Sequence, residues 1–253
     1  PMRPRISDVR IGYFPLRKHI YTEKVDELKK VDYIQRWRIE PKDEDVERYR
    51  NGELVEPKKP IVWYVDPAIP ERWRKYIKLG VEDWQAAFEE IGFKNAIVAR
   101  DFPVDDVTFD PDNLKYSCIR YSPSSVANAM GPSWTDPRTG EIINASVYVY
   151  HNVIKLVQDW RFLHTAAVDS DVRKVVLDDE IIGDCIRYVV SHEVGHCLAL
   201  MHNMSASAAI PVDSLRSPSF TQKYGTTYSI MDYARNNYVA QPGDKEKGVR
   251  LTP

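Results

Sequence analysis

Eleven consecutive residues decide how this chain is interpreted: His192-Glu193-Val194-Gly195-His196-Cys197-Leu198-Ala199-Leu200-Met201-His202. On a helix, residues four apart lie one turn up and about 40° around the axis, so His192 and His196 project side by side and can share one tetrahedral ion. Glu193 lies next to the first histidine, where its carboxylate can reach a water on the metal. The pattern is therefore typical of a zinc hydrolase.

The helix that carries this run is predicted by its apolar spacing. Between Asp178 and Leu198, apolar residues recur every three or four positions and form one stripe about 120° wide. The stripe consists of Ile182, Ile186, Val190, Val194 and Cys197. Both motif histidines lie roughly 100–140° from its centre, so we expect them to face away from the core. Cys197, on the stripe, is interpreted as a core residue.

An alternative reading is two hydrogen-bonded structural histidines beside an ordinary surface glutamate. Three of the six histidines of the chain fall between His192 and His202, which favours a metal site instead. The remaining candidates are His151, after a predicted strand, and His164, in a predicted helix. We expect both to be structural.

The run from His192 to His202 resembles the metzincin metallopeptidase signature, and Ser229-Ile230-Met231-Asp232-Tyr233 resembles its Met-turn. Further segments resemble the bacterial Met-zincin family, zinc peptidases within large exported proteins. These segments are 61–66, 80–85, 136–142 and 211–216. The resemblance covers most of residues 58–245, and the helix with the Met-turn is its specific part.

The resemblance implies an α/β (α+β) fold: a twisted, mostly parallel sheet with an antiparallel edge strand, two long helices and a small C-terminal lobe. Residues 145–150 would be the edge strand, on which an extended peptide substrate could pair. The implied cofactor is Zn²⁺.

The resemblance implies that the metal ligands are His192, His196 and His202 and that Glu193 is the general base. Met231 would occupy the Met-turn. Tyr233 matches the tyrosine that astacin-like and serralysin-like metzincins place beside the metal.

Ala199 departs from the signature, which has glycine between the second and third ligands. A straight helix would carry His202 about 240° around the axis from His196, off the ligand face. The chain must therefore turn sharply near 199, in a left-handed conformation that costs alanine about 1–2 kcal/mol.

The segment before the motif helix predicts a βαβ unit. A buried strand is predicted at Ile61–Val65 and a second strand at Ala96–Ala99. Between them, apolar residues at helical spacing predict a helix from Trp73 to Ile91, with Gly92 as its C-cap. Such a unit predicts a parallel pair.

Two more strands are predicted downstream, at Tyr116–Tyr121 and at Ala145–Tyr150. The second follows a turn at Asp136–Gly140 that suggests a hairpin.

The chain divides at a charged, proline-containing connector. Residues 1–57 hold this connector and two predicted strands, Val9–Leu16 and Val31–Ile39, and are interpreted as the end of a preceding domain. Residues 58–253 are the predicted metzincin-like domain. The sequence is interpreted as a fragment of a longer protein.

Composition excludes several classes of protein. Thirty-five Lys plus Arg against 37 Asp plus Glu give a net charge of −2, which argues against nucleic-acid binding. No run reaches the 18 or so apolar residues of a membrane span. Three cysteines do not form a disulfide framework. An extracytoplasmic location follows from the family resemblance alone.

The sequence thus predicts a zinc-dependent endopeptidase. Two alternatives remain: a non-catalytic zinc- or peptide-binding module derived from a peptidase, and a zinc hydrolase of non-peptide amides. An intact Glu193 argues against the first, because a structural site needs no base.

Overall fold

A mixed β-sheet forms the centre of the fold, with strand order β4-β3-β5-β8-β6 and with β7 also paired to β8. The computed structural model describes residues 2–253. The strands are β1 Pro15–Ile20, β2 Lys29–Ile34, β3 Ile61–Val65, β4 Ile97–Asp101, β5 Ser117–Ser122, β6 Ala129–Met130, β7 Ser133–Thr135 and β8 Ile142–Tyr150. The α-helices are α1 Val46–Arg50, α2 Glu71–Glu82, α3 Gln85–Glu90, α4 Val153–Thr165, α5 Asp179–Cys197, α6 Ser205–Ala208 and α7 Pro218–Tyr224. Short 3₁₀ turns lie at Asp43–Asp45, Ser170–Val172 and Val212–Arg216.

The sheet is mostly parallel with an antiparallel edge, as predicted. β3 pairs in parallel with β4, with Ile61 opposite Ile97, and in parallel with β5 on its other side. β5 in turn pairs in parallel with β8. The βαβ prediction is therefore confirmed.

The prediction that residues 145–150 form the antiparallel edge was wrong. They belong to β8, an inner strand with β5 on one side and β6 and β7 antiparallel on the other. The antiparallel edge is instead formed by residues 129–135, which connect to β8 through the predicted hairpin turn. A 2.8 Å hydrogen bond from the Asp136 amide to the Glu141 carbonyl closes this turn. Gly131 and Pro132 split this edge into two short strands, so it carries little strand pattern.

The helix predicted from Trp73 to Ile91 is two helices, α2 and α3. The break at Asp83 and Trp84 coincides with two tertiary interactions: the Asp83 carboxylate accepts from Arg187, and the Trp84 indole donates to the Ser191 carbonyl at 2.8 Å. Both bonds tie the break to α5. The sequence could not show this, because the partners lie about a hundred residues away.

The motif helix α5 matches its predicted extent, and the whole apolar stripe is buried against α2 and β8. His192, however, is only 5% exposed. The expectation that the histidines face away from the core does not make His192 exposed, because Ile230 and Tyr233 lie against it.

The N-terminal residues form the β1–β2 hairpin, a few residues later in the chain than the first predicted strand and slightly earlier than the second. Tyr13, Phe14, Trp37 and Ile39 pack against the main core. No helix among residues 2–253 is long and apolar enough to cross a membrane.

Candidate metal centre

Three imidazoles converge at the C-terminal end of α5. The Nε2 atom of His202 lies 3.1 Å from Nε2 of His196 and 3.2 Å from Nε2 of His192. Tetrahedral zinc with Zn–N bonds of 2.0–2.1 Å separates its nitrogens by about 3.3–3.4 Å. The observed spacing fits that requirement within a few tenths of an ångström.

Backbone carbonyls orient two of the three rings. His192 Nδ1 lies 2.7 Å from the Ile230 carbonyl oxygen, and His196 Nδ1 lies 2.9 Å from the Leu200 carbonyl oxygen. An Nδ1–H donated to a carbonyl leaves Nε2 as the metal-binding atom. Both rings are therefore held in the tautomer that a metal requires.

Burial keeps these rings uncharged. It lowers the pKa of His192 to about 4 and also lowers the pKa of His196. A neutral imidazole has a free lone pair, whereas an imidazolium has none. The donor set, three converging imidazoles of which two are held in the metal-binding tautomer, thus fits Zn²⁺ as its resident ion.

α5 ends in the turn predicted at Ala199. Ala199 has φ +70° and is fully buried. Its amide donates to the His196 carbonyl at 2.8 Å, and the Leu200 amide donates to the Gly195 carbonyl at 3.0 Å. These two bonds form a Schellman motif with alanine in the position that usually holds glycine. The turn reverses the chain and brings His202 beside the other two histidines.

The segment Ser229–Asp232 passes beneath the three histidines. Met231 is 2% exposed, and its carbonyl accepts from the Asn203 amide at 2.9 Å, one residue after the third histidine. A Cβ atom at Gly195 would overlap Met231 Sδ and lie 2.7 Å from Trp84. Glycine at 195 is thus required for the close approach of Met231 to the helix.

Glu193 lines a pocket of about 270 Å³ beside the histidines. Its other walls include Leu156, Trp160 and Tyr233. Burial raises the pKa of Glu193 to about 7. A carboxyl with a pKa near the operating pH can both accept and return a proton.

The edge of the sheet lies directly on this part of α5. A Cβ atom at Gly131 would lie 2.5 Å from the Glu193 carbonyl oxygen and 2.9 Å from Cys197 Sγ. Glycine at 131 is therefore needed for the contact between the edge and the helix. Ala129 of β6 also lines the pocket beside Glu193.

Tyr233 lies at the mouth of the site and is 49% exposed. Its ring centroid is 4.5 Å from that of His202 and 5.4 Å from that of His192. The side chain is thus in contact with two of the three histidines.

The remaining candidates lie elsewhere. Tyr121 hydroxyl contacts His151 Nδ1, and His164 Nδ1 lies 3.5 Å from the amide of Asn236. Among residues 2–253, only the three motif histidines form a cluster of potential metal ligands. Cys197 is fully buried, as predicted, with its Sγ 3.6 Å from the Ser146 carbonyl oxygen.

Several contributors to the site were missed from the sequence. The Ile230 and Leu200 carbonyls are backbone groups, for which residue identity gives no signal. Trp160 and Arg235 form part of the pocket wall, with the guanidinium 3.9 Å from the indole centroid. Arg235 follows Met231 by only four residues in the sequence, and this was the one available hint.

Comparison with known families places this geometry in context. Residues 174–253 match a family model described as Met-zincin, and residues 1–42 match a model described as a domain of unknown function. No curated protein and no solved structure matches the chain. The first match contains all three histidines, the turn at Ala199 and Met231. Residues 174–253 are therefore similar in sequence to the Met-zincin family, and the cluster of three histidines is consistent with that similarity.

Proposed function

We propose that this chain is the catalytic part of a zinc-dependent endopeptidase. The observation that carries the proposal is the convergence of three histidine Nε2 atoms beside a pocket lined by Glu193. A purely structural zinc site has four protein ligands. A fourth protein ligand is absent from the cluster within residues 2–253, which supports a catalytic role.

His192, His196 and His202 would hold the zinc. When bound, the ion supplies a Lewis acid that acidifies water and polarises a carbonyl oxygen. Glu193 accepts the proton of the attacking water and returns it to the leaving amine. Tyr233 donates its hydroxyl hydrogen to the substrate oxygen as negative charge develops.

The substrate we propose is an extended peptide. Among the described strands β6 is the last of the sheet and pairs with β8 alone, so its other side would be the one to pair with a substrate strand. Ala129 lies both on this strand and in the wall of the Glu193 pocket. A peptide paired there could place one side chain in that pocket. An extracytoplasmic location is part of the proposal and rests on the family resemblance.

The test uses protein purified without a histidine tag. We expect about one zinc per chain and cleavage of peptides blocked at both ends. Glu193→Ala should keep the zinc and lower kcat by about 10²- to 10⁴-fold, as expected for loss of a general base. Glu180→Ala, on the exposed first turn of the same helix, is the matched control and should retain full activity.

Each alternative gives a different result. A non-catalytic binding module would hold zinc and bind peptides without cleaving any of them. A hydrolase of other amides would cleave acyl-amide substrates but no peptide. Loss of zinc in Glu193→Ala, or undiminished cleavage, would show that Glu193 is not the base.

A further inference from the structure

The N-terminal segment pairs with the turn that joins the second and third histidines. The Phe14 amide donates to the Ala199 carbonyl at 2.8 Å, and the Met201 amide donates to the Gly12 carbonyl at 2.7 Å. These two bonds make Tyr13 and Leu200 an antiparallel bridge. The N-terminal residues thus bond to the turn on both sides of its central residue.

Two further contacts from the same segment reach the end of α5. The Trp37 indole donates to the Cys197 carbonyl at 2.8 Å, which satisfies a carbonyl that the helix leaves without a partner. The Phe14 ring lies 5.7 Å from the His196 ring, centroid to centroid. The Phe14 carbonyl itself accepts from the Gln35 amide at 3.0 Å, so Phe14 is fixed on its other side as well.

The Ala199–Met201 turn, to which the N-terminal segment bonds, determines the positions of two of the three histidines. Leu200 supplies the carbonyl that orients His196, and Met201 leads directly into His202. The turn also contains Ala199, whose positive φ is unfavourable for alanine. A segment that bonds to both sides of Leu200 therefore stabilises a strained conformation on which the placement of both histidines depends.

We propose that Gly12–Phe14 is a positioning element of the zinc site. It acts through the Ala199–Met201 turn and substitutes for the conformational freedom that glycine would give at 199. Residues 1–42, which match a different family model from the ligands, would then be required for full metal affinity. The inference rests on the zinc site of the proposed function but not on peptidase activity.

The main test measures zinc affinity of the full chain by competition with a chelator. Phe14→Pro removes the amide that donates to Ala199, and we expect zinc binding to weaken about tenfold, the lower end of the range for lost outer partners of metal ligands. Leu28→Pro is the matched control, because Leu28 lies in the exposed loop of the same hairpin. It should change zinc affinity less than twofold.

A second background separates positioning from general destabilisation. If the pairing holds Ala199 in its left-handed conformation, Phe14→Pro should weaken zinc binding less in an Ala199→Gly background, by about threefold or less. The reason is that glycine adopts that conformation without help. A general loss of stability would give the same cost in both backgrounds. In the cobalt-substituted protein, Phe14→Pro should change the absorption spectrum when Ala199 is present, because a ligand is displaced. The same substitution in the Ala199→Gly background should leave the spectrum unchanged.

A measurement on the unaltered protein applies even if Phe14→Pro does not fold. By linkage, zinc must stabilise the pairing as much as the pairing stabilises zinc binding. Zinc should therefore slow hydrogen exchange at the Phe14 and Met201 amides about tenfold more than at the Ser7 amide, which bonds to the Asp32 carbonyl away from the turn. Equal slowing at all three amides, or unchanged zinc affinity in folded Phe14→Pro, would overturn the proposal.

Discussion

Ala199 allows a direct test of the turn that brings His202 to the other histidines. In a helix, glycine is less favourable than valine, whereas at positive φ glycine is the most favourable residue and a β-branched residue the least. We therefore expect Ala199→Gly to be better tolerated than Ala199→Val. At Ala87, an exposed position within α3, the same two substitutions should rank in the opposite order.

The expected magnitudes follow from the conformation and burial of Ala199. Glycine relieves about 1–2 kcal/mol of left-handed strain but adds about 0.4–1 kcal/mol of unfolded-state entropy. It also loses about 0.8 kcal/mol from one buried methyl group. The net change in the free energy of unfolding lies within about 1 kcal/mol of zero. Valine adds overpacking at a fully buried site and should destabilise by about 2 kcal/mol or more.

The assay is urea unfolding of the zinc-loaded protein, with the four variants compared at the same zinc concentration. At Ala87, glycine should cost about 1 kcal/mol and valine somewhat less. The reasoning about the turn is refuted if Ala199→Gly loses more stability than Ala199→Val, or if zinc affinity is unchanged in His202→Ala.

Three other predictions concern separate parts of the molecule. Tyr233→Phe should lower kcat at least about tenfold with a smaller change in KM, because a donor to developing charge acts mainly in the transition state; unchanged steady-state kinetics would remove Tyr233 from the reaction. Gly195→Ala should destabilise the protein by about 1–3 kcal/mol through overlap with Met231 Sδ, and a double-mutant cycle with Met231→Ala should show a smaller penalty for the same added methyl. The pKa of Asp244 is lowered to about 2, mainly by its hydrogen bond with the Arg216 side chain and next by that with the Gln241 amide. The ionised carboxylate therefore stabilises the fold above pH about 4, and this contribution is lost as pH falls toward 2. Unfolding of metal-free protein should accordingly show Asp244→Asn less stable than wild type near pH 7 and the difference narrowing in acid; a constant difference would contradict this.

Much of the centre of the fold could be predicted because local pattern and tertiary packing agree there. The stripe from Ile182 to Cys197 is buried as its spacing requires, and the βαβ unit pairs β3 with β4 as predicted. The left-handed turn at Ala199 was predicted from the metzincin resemblance, which makes His202 a ligand and has glycine at this position, together with helical geometry, since a straight helix could not bring His202 to the other two histidines. In each case a few neighbouring residues contained the necessary information.

The errors arose where distant residues decide the structure. The edge at 129–135 is defined by pairing with β8 and by the contact of Gly131 with α5, and its own residues show little strand pattern. The break between α2 and α3 coincides with hydrogen bonds that join Asp83 and Trp84 to α5. The pairing of Gly12–Phe14 with Ala199–Met201 joins segments nearly two hundred residues apart, and no periodicity within either segment predicts it.

The parts of the metal centre that the sequence could and could not reveal differ in chemistry. The candidate ligands are side chains, so their identity and spacing are visible in the sequence. Two of the three rings, however, are oriented by the Ile230 and Leu200 carbonyls, which any residue could supply. Their positions depend on backbone conformation: that of the segment Ser229–Asp232 for Ile230, and that of the Schellman turn with its N-terminal partner for Leu200. The precision of this site therefore depends on the surrounding backbone segments being held in place, which makes Gly12–Phe14 as relevant to metal affinity as residues much closer to the histidines in sequence.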